Sequence, residues 1–351
     1  MTTKNASLSY QEIVSQPEAW EKTIERVIEH RSAIEALFRE TRGRQTMMVA
    51  CGSSYWGARS TALVLREAAG QPVETVTGGE FYVNAQNYYG AGDSLFVIVP
   101  SRSGQTGEIK KALEIAKERA DIKLLSVVVY EQSAVGEMSD LSIALPWANE
   151  ESVCQTKSFT SLIAAQAAVY RLAYGLPLGL LPAIPEAGRQ LIERYEEKLR
   201  QLAADRSWSN LLAAGQGKAF GLACESALIM IEMSETQSNF YHTMEVAHGP
   251  NVVASSETLA IVFQSNHMLE HERRVIRDLR QRGAKVLVIG EPEAEREYEC
   301  DHFVAIPGIE DEFERALVGL IVPQLLANFR AMEKGVNPDS PSDLNPWISI
   351  P

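Results

Sequence analysis

A chain of 351 residues, 45% apolar and 23% charged, is long enough for two hydrophobic cores and too apolar to remain disordered. Its formal charge of −13, without a basic cluster, argues against nucleic acid or an anionic membrane surface as partner, and neither is expected. Cys51, Cys154, Cys224 and Cys300 lie far apart with no CxxC and no metal-ligand spacing, which predicts reduced thiols and no metal site.

The opening MTTKNASLSYQEIV lacks the apolar run of a secretory signal. Over Glu18–Glu40, Trp20, Ile24, Val27, Ile28, Ile34, Leu37 and Phe38 recur at helical spacing and predict one amphipathic helix. A strand at Met47–Ala50 ends in CGSS; a helix from about Gly57 to Ala69 and a short strand near Val73–Val76 follow. The apolar run Leu95–Val99 empties into PSRSGQT, then a helix over Glu108–Glu118 and a strand at Leu124–Val129. A polar run, Glu151–Ser158, precedes a helix starting near Phe159. The apolar stretch Ser161–Ile184 is interrupted by Gln166, Arg171 and two prolines, so it predicts a buried helix and its exit rather than a membrane span; the cytoplasm is the expected location. Short β-branched runs alternating with helices are the pattern of a doubly wound parallel α/β sheet.

The pattern then restarts. Prolines cluster over Leu176–Lys198, which reads as the joint between two halves. Leu211–Ala214 with GQG repeats Met47–Ala50 with CGSS, and LAIVF at Leu259–Phe263 repeats FVIVP at Phe96–Pro100. Gly52/Gly215 and Val99/Val262 are both 163 positions apart, which predicts an internal duplication. A helix over Leu269–Arg282 and a strand at Val286–Ile289 complete the second copy, but where the first reads PSRSGQT the second reads FQSNHML. The expected division is therefore an N-terminal helical segment (1–42), a first α/β domain (43–180) and a second (195–351).

In open parallel sheets, ligands sit beyond the C-terminal ends of the strands where the strand order reverses. Two such ends in the first half carry small polar residues: Cys51, Gly52, Ser53 and Ser54, then Ser101, Arg102, Ser103, Gln105 and Thr106. Either run alone is an ordinary helix cap; together they predict an anion cradle of hydroxyls and helix-start N–H groups. Lys157 and Arg102 can add a point charge or a fork. No GxxxxGK[ST] run occurs, and the GxGxxxG at Gly215–Gly221 lacks the follow-on acidic residue of a dinucleotide site, so no cofactor is expected.

CGSSY and SRSGQT resemble the phosphosugar-binding loops of the SIS (sugar isomerase) family, and the whole plan from about Gln16 onward resembles its two-SIS phosphosugar isomerases, deaminases and deglycases. The resemblance implies two tandem α/β subdomains, each a parallel sheet flanked by helices in three layers. ESVCQTKSFTS matches a third family loop, placing Val153 and Gln155 at substrate contacts and adding Lys157. GQGKAFGLACESALIMIEMS and MEVAHGP match the segments that carry the family's catalytic glutamate and histidine, implying those roles for Glu232 and His248. It further implies a homodimer with shared active sites, since in such relatives the histidine acts in the neighbouring subunit's site. Two family lysines fall at Ile229 and Pro346, which leans the chain from synthase-type isomerisation toward deglycation or deamination of a 6-phosphorylated sugar–amine. No glutaminase domain is expected. The competing expectation is a non-catalytic, sugar-phosphate-binding regulator.

Overall fold

A computed structural model describes residues 7–342, 344 and 345 of the chain; Pro346, one of the two lysine positions, lies outside them. In chain order the elements are α1 (Leu8–Val14), α2 (Gln16–Glu29), α3 (Arg31–Glu40), β1 (Gln45–Ala50), α4 (Ser53–Ala69), β2 (Glu74–Thr77) and α5 (Gly78–Val83). They continue with β3 (Ser94–Ser101), α6 (Gly107–Arg119), β4 (Asp121–Val128), α7 (Ala134–Met138), β5 (Leu141–Ala144) and α8 (Lys157–Ala173). The second half holds α9 (Ile184–Ala204), β6 (Asn210–Gly215), α10 (Phe220–Ser234), β7 (Gln237–His242), β8 (Thr258–Phe263), α11 (Leu269–Gln281), β9 (Lys285–Gly290), β10 (His302–Ala305), α12 (Glu312–Gly319) and α13 (Ile321–Lys334).

These elements form two five-stranded parallel sheets, ordered β2-β1-β3-β4-β5 and β10-β9-β8-β6-β7. Counted within each half, both orders are 2-1-3-4-5, the doubly wound arrangement whose order reverses between the first and third strands. The central strands are buried along almost their whole length, as parallel strands covered on both faces must be. In the first sheet, alternate residues Met47, Val49, Val97 and Val99 meet Phe81, Ile109 and Leu113 of the α5/α6 layer. The opposite face carries α4 and α8, which touch each other and the strands. In the second sheet, Leu212, Ala260, Val262 and Val286 pack on Val275, Ile276 and Leu279 of α11. Each sheet is thus the middle of three layers.

The chain divides into two compact units. One, the first-sheet unit, is built on Ala19–Asn149 and Lys157–Leu181; the other, the second-sheet unit, gathers the chain up to Glu18, Glu150–Thr156 and Pro182–Leu344.

Two expectations need correction. The predicted single helix over Glu18–Glu40 is two, α2 and α3, separated at His30, whose backbone (φ −89°, ψ 4°) leaves the helical region. The 163-residue shift does not hold for both landmarks. Met47 pairs with Val97 and Leu212 with Ala260. A shift that carries Val97 onto Ala260 brings Met47 to Asn210, two residues short of Leu212. The counterpart of Gly52 is therefore Gly217, and the two share a left-handed backbone, φ 56° and 55°. The repeat is set by sheet register and turn geometry, and the loops between strands absorb the two-residue difference.

Candidate functional site

The order of the first sheet reverses between β1 and β3, so a crevice opens at their C-terminal ends. Each strand leads into a helix there, and each helix begins without a side-chain cap. Gly52 turns with positive φ so that α4 can start at once, and its own side makes no cap hydrogen bond; Thr106 at the start of α6 makes none either. Two helix N-termini, of 17 and 13 residues, therefore bring their positive ends to one crevice. Sequence periodicity started α4 four residues late because its first turn opens with Ser53 and Ser54, and α6 one residue late, since it opens at Gly107.

Ser53, Ser54, Ser101, Arg102 and Ser103 are all buried. Gly104 N–H donates to Ser101 Oγ at 3.0 Å, and Gln105 N–H donates to Ser103 Oγ at 3.1 Å, so these hydroxyls fold the turn as well as lining it. Gly104 adopts φ 59°, and a Cβ there would stand 2.6 Å from both Cβ and Oγ of Ser133. Glycine is therefore required for two reasons, handedness and room. Ser133, which caps α7 through Gly136 N–H, escaped the sequence reading; the turn-like YEQ before it was its only signal. The backbone carbonyl of Arg102 accepts from Val129 N–H at 3.1 Å, tying the turn to the end of β4.

The β1 loop closes on the same place. A Cβ on Gly78 would lie 2.8 Å from Cys51 Sγ and 2.8 Å from Ile109 of the first turn of α6. Gly78 thus lets the loops after β1, β2 and β3 converge, and it too was passed over in sequence, where only the run TGG marks it. Burial, with Glu108 nearby, pushes the Cys51 thiol up to about 11, so it packs against the α5/α6 layer as a neutral group and not as a thiolate nucleophile. Lys157 opens α8 in this same unit.

Val153 and Gln155 belong to the second-sheet unit. Their loop is held by acidic groups that sequence analysis missed. Glu151 N–H donates to Glu12 Oε1 at 2.6 Å, and the Ser152 hydroxyl donates to the other Glu12 oxygen. Glu150 accepts from both N–H and Oγ–H of Thr156 at 2.7 Å. Val153 N–H donates to the Asp339 carbonyl at 3.0 Å. Burial first, then the nearby Glu150 charge, raises the Glu12 carboxyl above its ordinary range. The Asp339 carboxylate in turn accepts from Leu8 and Ser9 N–H at 3.0 and 2.8 Å, fastening the segment after α13 to the start of α1.

Glu232 and His248 also lie in the second-sheet unit. Glu232 is half-buried near the end of α10, which packs along β7. His248 is exposed and closes the short turn after β7, its N–H donating to Glu245 carbonyl at 3.0 Å; Gly249 follows with φ 123°. Ile229, one turn before Glu232, is buried at 1% exposure, an apolar group where the resemblance expected a lysine. Tyr241 and His242 end β7, and His242 stacks on Phe220 at 3.6 Å between ring centroids. Among the described residues no helix is long and apolar enough to cross a membrane.

The family model of the SIS domain matches residues 41–174. The chain is similar to the glutamine–fructose-6-phosphate aminotransferase [isomerizing] of Pseudomonas syringae pv. tomato, 28% identical over 97% of this chain and 58% of the relative. It therefore spans a little over half the length of that protein. Among solved structures, tagatose-6-phosphate ketose/aldose isomerase from Escherichia coli superposes with a TM-score of 0.88 at 21% identity, covering 99% of both chains. Glucosamine-6-phosphate deaminase from Thermotoga maritima gives 0.77 at 24% identity, covering 94% of this chain and 100% of that one. At these identities the structures establish a shared fold.

Proposed function

We propose that this chain, whose residues 41–174 match the SIS domain, is a phosphosugar enzyme of the isomerase, deaminase or deglycase kind, acting on a 6-phosphorylated amino sugar or sugar–amine conjugate. The observation that carries the reading is the crevice at β1 and β3, where two uncapped helix starts and buried serines converge around neutral donors. That is the chemistry of a phosphoryl site: helix dipoles and hydroxyls stabilise the anion without filling the pocket with competing charge. Cys51, Gly52, Ser53, Ser54, Ser101, Arg102, Ser103, Gln105, Thr106 and Lys157 are assigned to phosphate and sugar, with Val153 and Gln155 as further contacts.

In the proposed reaction Glu232 removes a carbon-bound proton next to a carbonyl or iminium, and His248 delivers a proton to the ring oxygen or the leaving amine. Pro346, where the resemblance places the imine-forming lysine, offers no amine for an enzyme-bound imine, and the buried Ile229 offers none at the other lysine position, which favours a substrate that already carries its nitrogen. Residues 43–180 and 195–351 are the two proposed SIS units, led by 1–42. A homodimer with shared sites fits the exposed Ile231, Met244, Val252 and Val253, apolar residues on the elements that carry Glu232 and His248.

The test is incubation with fructose 6-phosphate, glucosamine 6-phosphate and fructose-lysine 6-phosphate, following isomerised sugar, ammonia and free amine. One of them should turn over, and Glu232→Gln should lower kcat about a hundredfold or more, in the range typical of a lost general base. Thermal stabilisation by these sugars without any product would identify a sensor instead.

A further inference from the structure

The second sheet repeats the topology of the first, so it has its own reversal point, between β6 and β8. The loops there keep two elements of an anion site. Gly217 repeats the left-handed turn of Gly52, and after β8 the chain presents Ser265 and Asn266. Yet this crevice already holds an anion. Glu312 Oε2 accepts from Ser265 Oγ–H at 2.9 Å and from Asn266 N–H at 3.0 Å. Its other oxygen, Oε1, lies 3.7 Å from where a Cβ on Gly217 would stand, so both loops close on one carboxylate.

The origin of that carboxylate is the telling part. Glu312 is the first residue of α12, the helix that follows the last strand of the second sheet. In the first half, the first residue of the helix that follows the last strand is Lys157, opening α8. The same position thus carries a cation in the half assigned to phosphate and an anion in its counterpart. Arg315, 1% exposed and one turn along α12, balances the acidic crevice by donating to Glu291 Oε1 at 2.5 Å and to Asn266 Oδ1.

We propose that the second sheet retains an anion-binding crevice, formed by Gly217, Ser265 and Asn266, which the chain keeps closed with the carboxylate of Glu312. The inference borrows the first crevice as its template and so rests on the proposed phosphate site, but it makes its own prediction. The wild-type chain binds one phosphoryl group, at the first sheet, because the second place is taken by an internal ligand. Removing the Glu312 carboxylate vacates a site for a small oxyanion such as inorganic phosphate.

The experiment is a calorimetric titration of the full chain with inorganic phosphate. Wild type should bind one per chain, Glu312→Ala two, and Glu312→Ala combined with Ser265→Ala one again. Glu312→Gln, which fills the crevice with a neutral side chain, should stay at one. A folded Glu312→Ala protein with unchanged stoichiometry overturns the proposal. A result of none in wild type and one in Glu312→Ala supports it while removing the phosphate reading of the first crevice, so the two failures are separate. If Glu312→Ala does not fold in buffer, recovery of its far-UV circular dichroism in excess phosphate supports the proposal. Failure to fold in either condition shows that a free anion cannot replace the carboxylate, and overturns it.

Discussion

Replacing Gly104 by alanine loads two separable costs onto the turn after β3. Its backbone sits at φ 59°, where an L side chain costs about 1–2 kcal/mol. The new methyl would also stand 2.6 Å from both Cβ and Oγ of Ser133. Relieving such an overlap by moving the turn costs about 1–3 kcal/mol, as overpacking does in other well-packed sites. Gly104→Ala should therefore destabilise the protein by about 2–5 kcal/mol, a large share of the 5–15 kcal/mol that holds a domain folded. Ser133→Gly alone should cost only a few tenths, since glycine is a tolerated N-cap. In the double variant the overlap disappears and only the backbone strain remains, so the coupling energy should be about 1–3 kcal/mol. Urea denaturation of the four proteins measures it, with KM for the phosphorylated substrate reporting the displaced turn in parallel. Additive losses, with coupling under about 0.5 kcal/mol, would show that Ser133 is not what Gly104 accommodates.

Two further outcomes follow from the same geometry. Ser103→Ala with Thr106→Ala should raise KM for a phosphorylated sugar at least tenfold while leaving an unphosphorylated analogue unchanged, about 1.4 kcal/mol of binding lost at the phosphate end; equal effects on both refute the cradle. Burial, opposed by hydrogen bonds from Tyr298 and from Ser265 N–H, pushes the Glu272 carboxyl up to about 7. The folded state then holds a proton that the unfolded chain has released above its ordinary 4.5. Stability from this group is full below that value and is lost as pH rises toward 7, by up to about 3 kcal/mol. Glu272→Gln should remove that slope in denaturation midpoints between pH 5 and 7, and an unaltered slope refutes the assignment.

How much of this was readable before the fold was known depends on where each residue lies. The central strands announce themselves as unbroken apolar runs, because both of their faces are covered. Three of the four edge strands, β5, β7 and β10, left no such mark: QSNFYH in β7 holds no fully buried residue and reads as loop. The two hydroxyl-rich turns stood out in the sequence as small polar runs after apolar strands, and those strands are neighbours in the sheet. Gly78, Ser133 and Glu12 were not, since their roles depend on partners distant in sequence or on space that no local pattern records. The 163-residue spacing likewise found the repeat but misplaced one landmark, because loop lengths vary where sheet register cannot.

The pairing of α1 with Asp339 has a bearing on how the protein is made. The first helix is capped by a carboxylate 331 residues downstream, and the loop Glu150–Thr156 is fastened by Glu12 and by the same tail segment. At translation rates of about 5–20 residues per second, the helix leaves the ribosome roughly 15–65 s before its clasp exists. Until then the first-sheet unit can collapse on its own, while α1 and the loop Glu150–Thr156 lack the partners that the later segment brings. Completion of the second-sheet unit thus waits on the segment around Asp339, and a cell that truncates the message before it would leave α1 without its mooring.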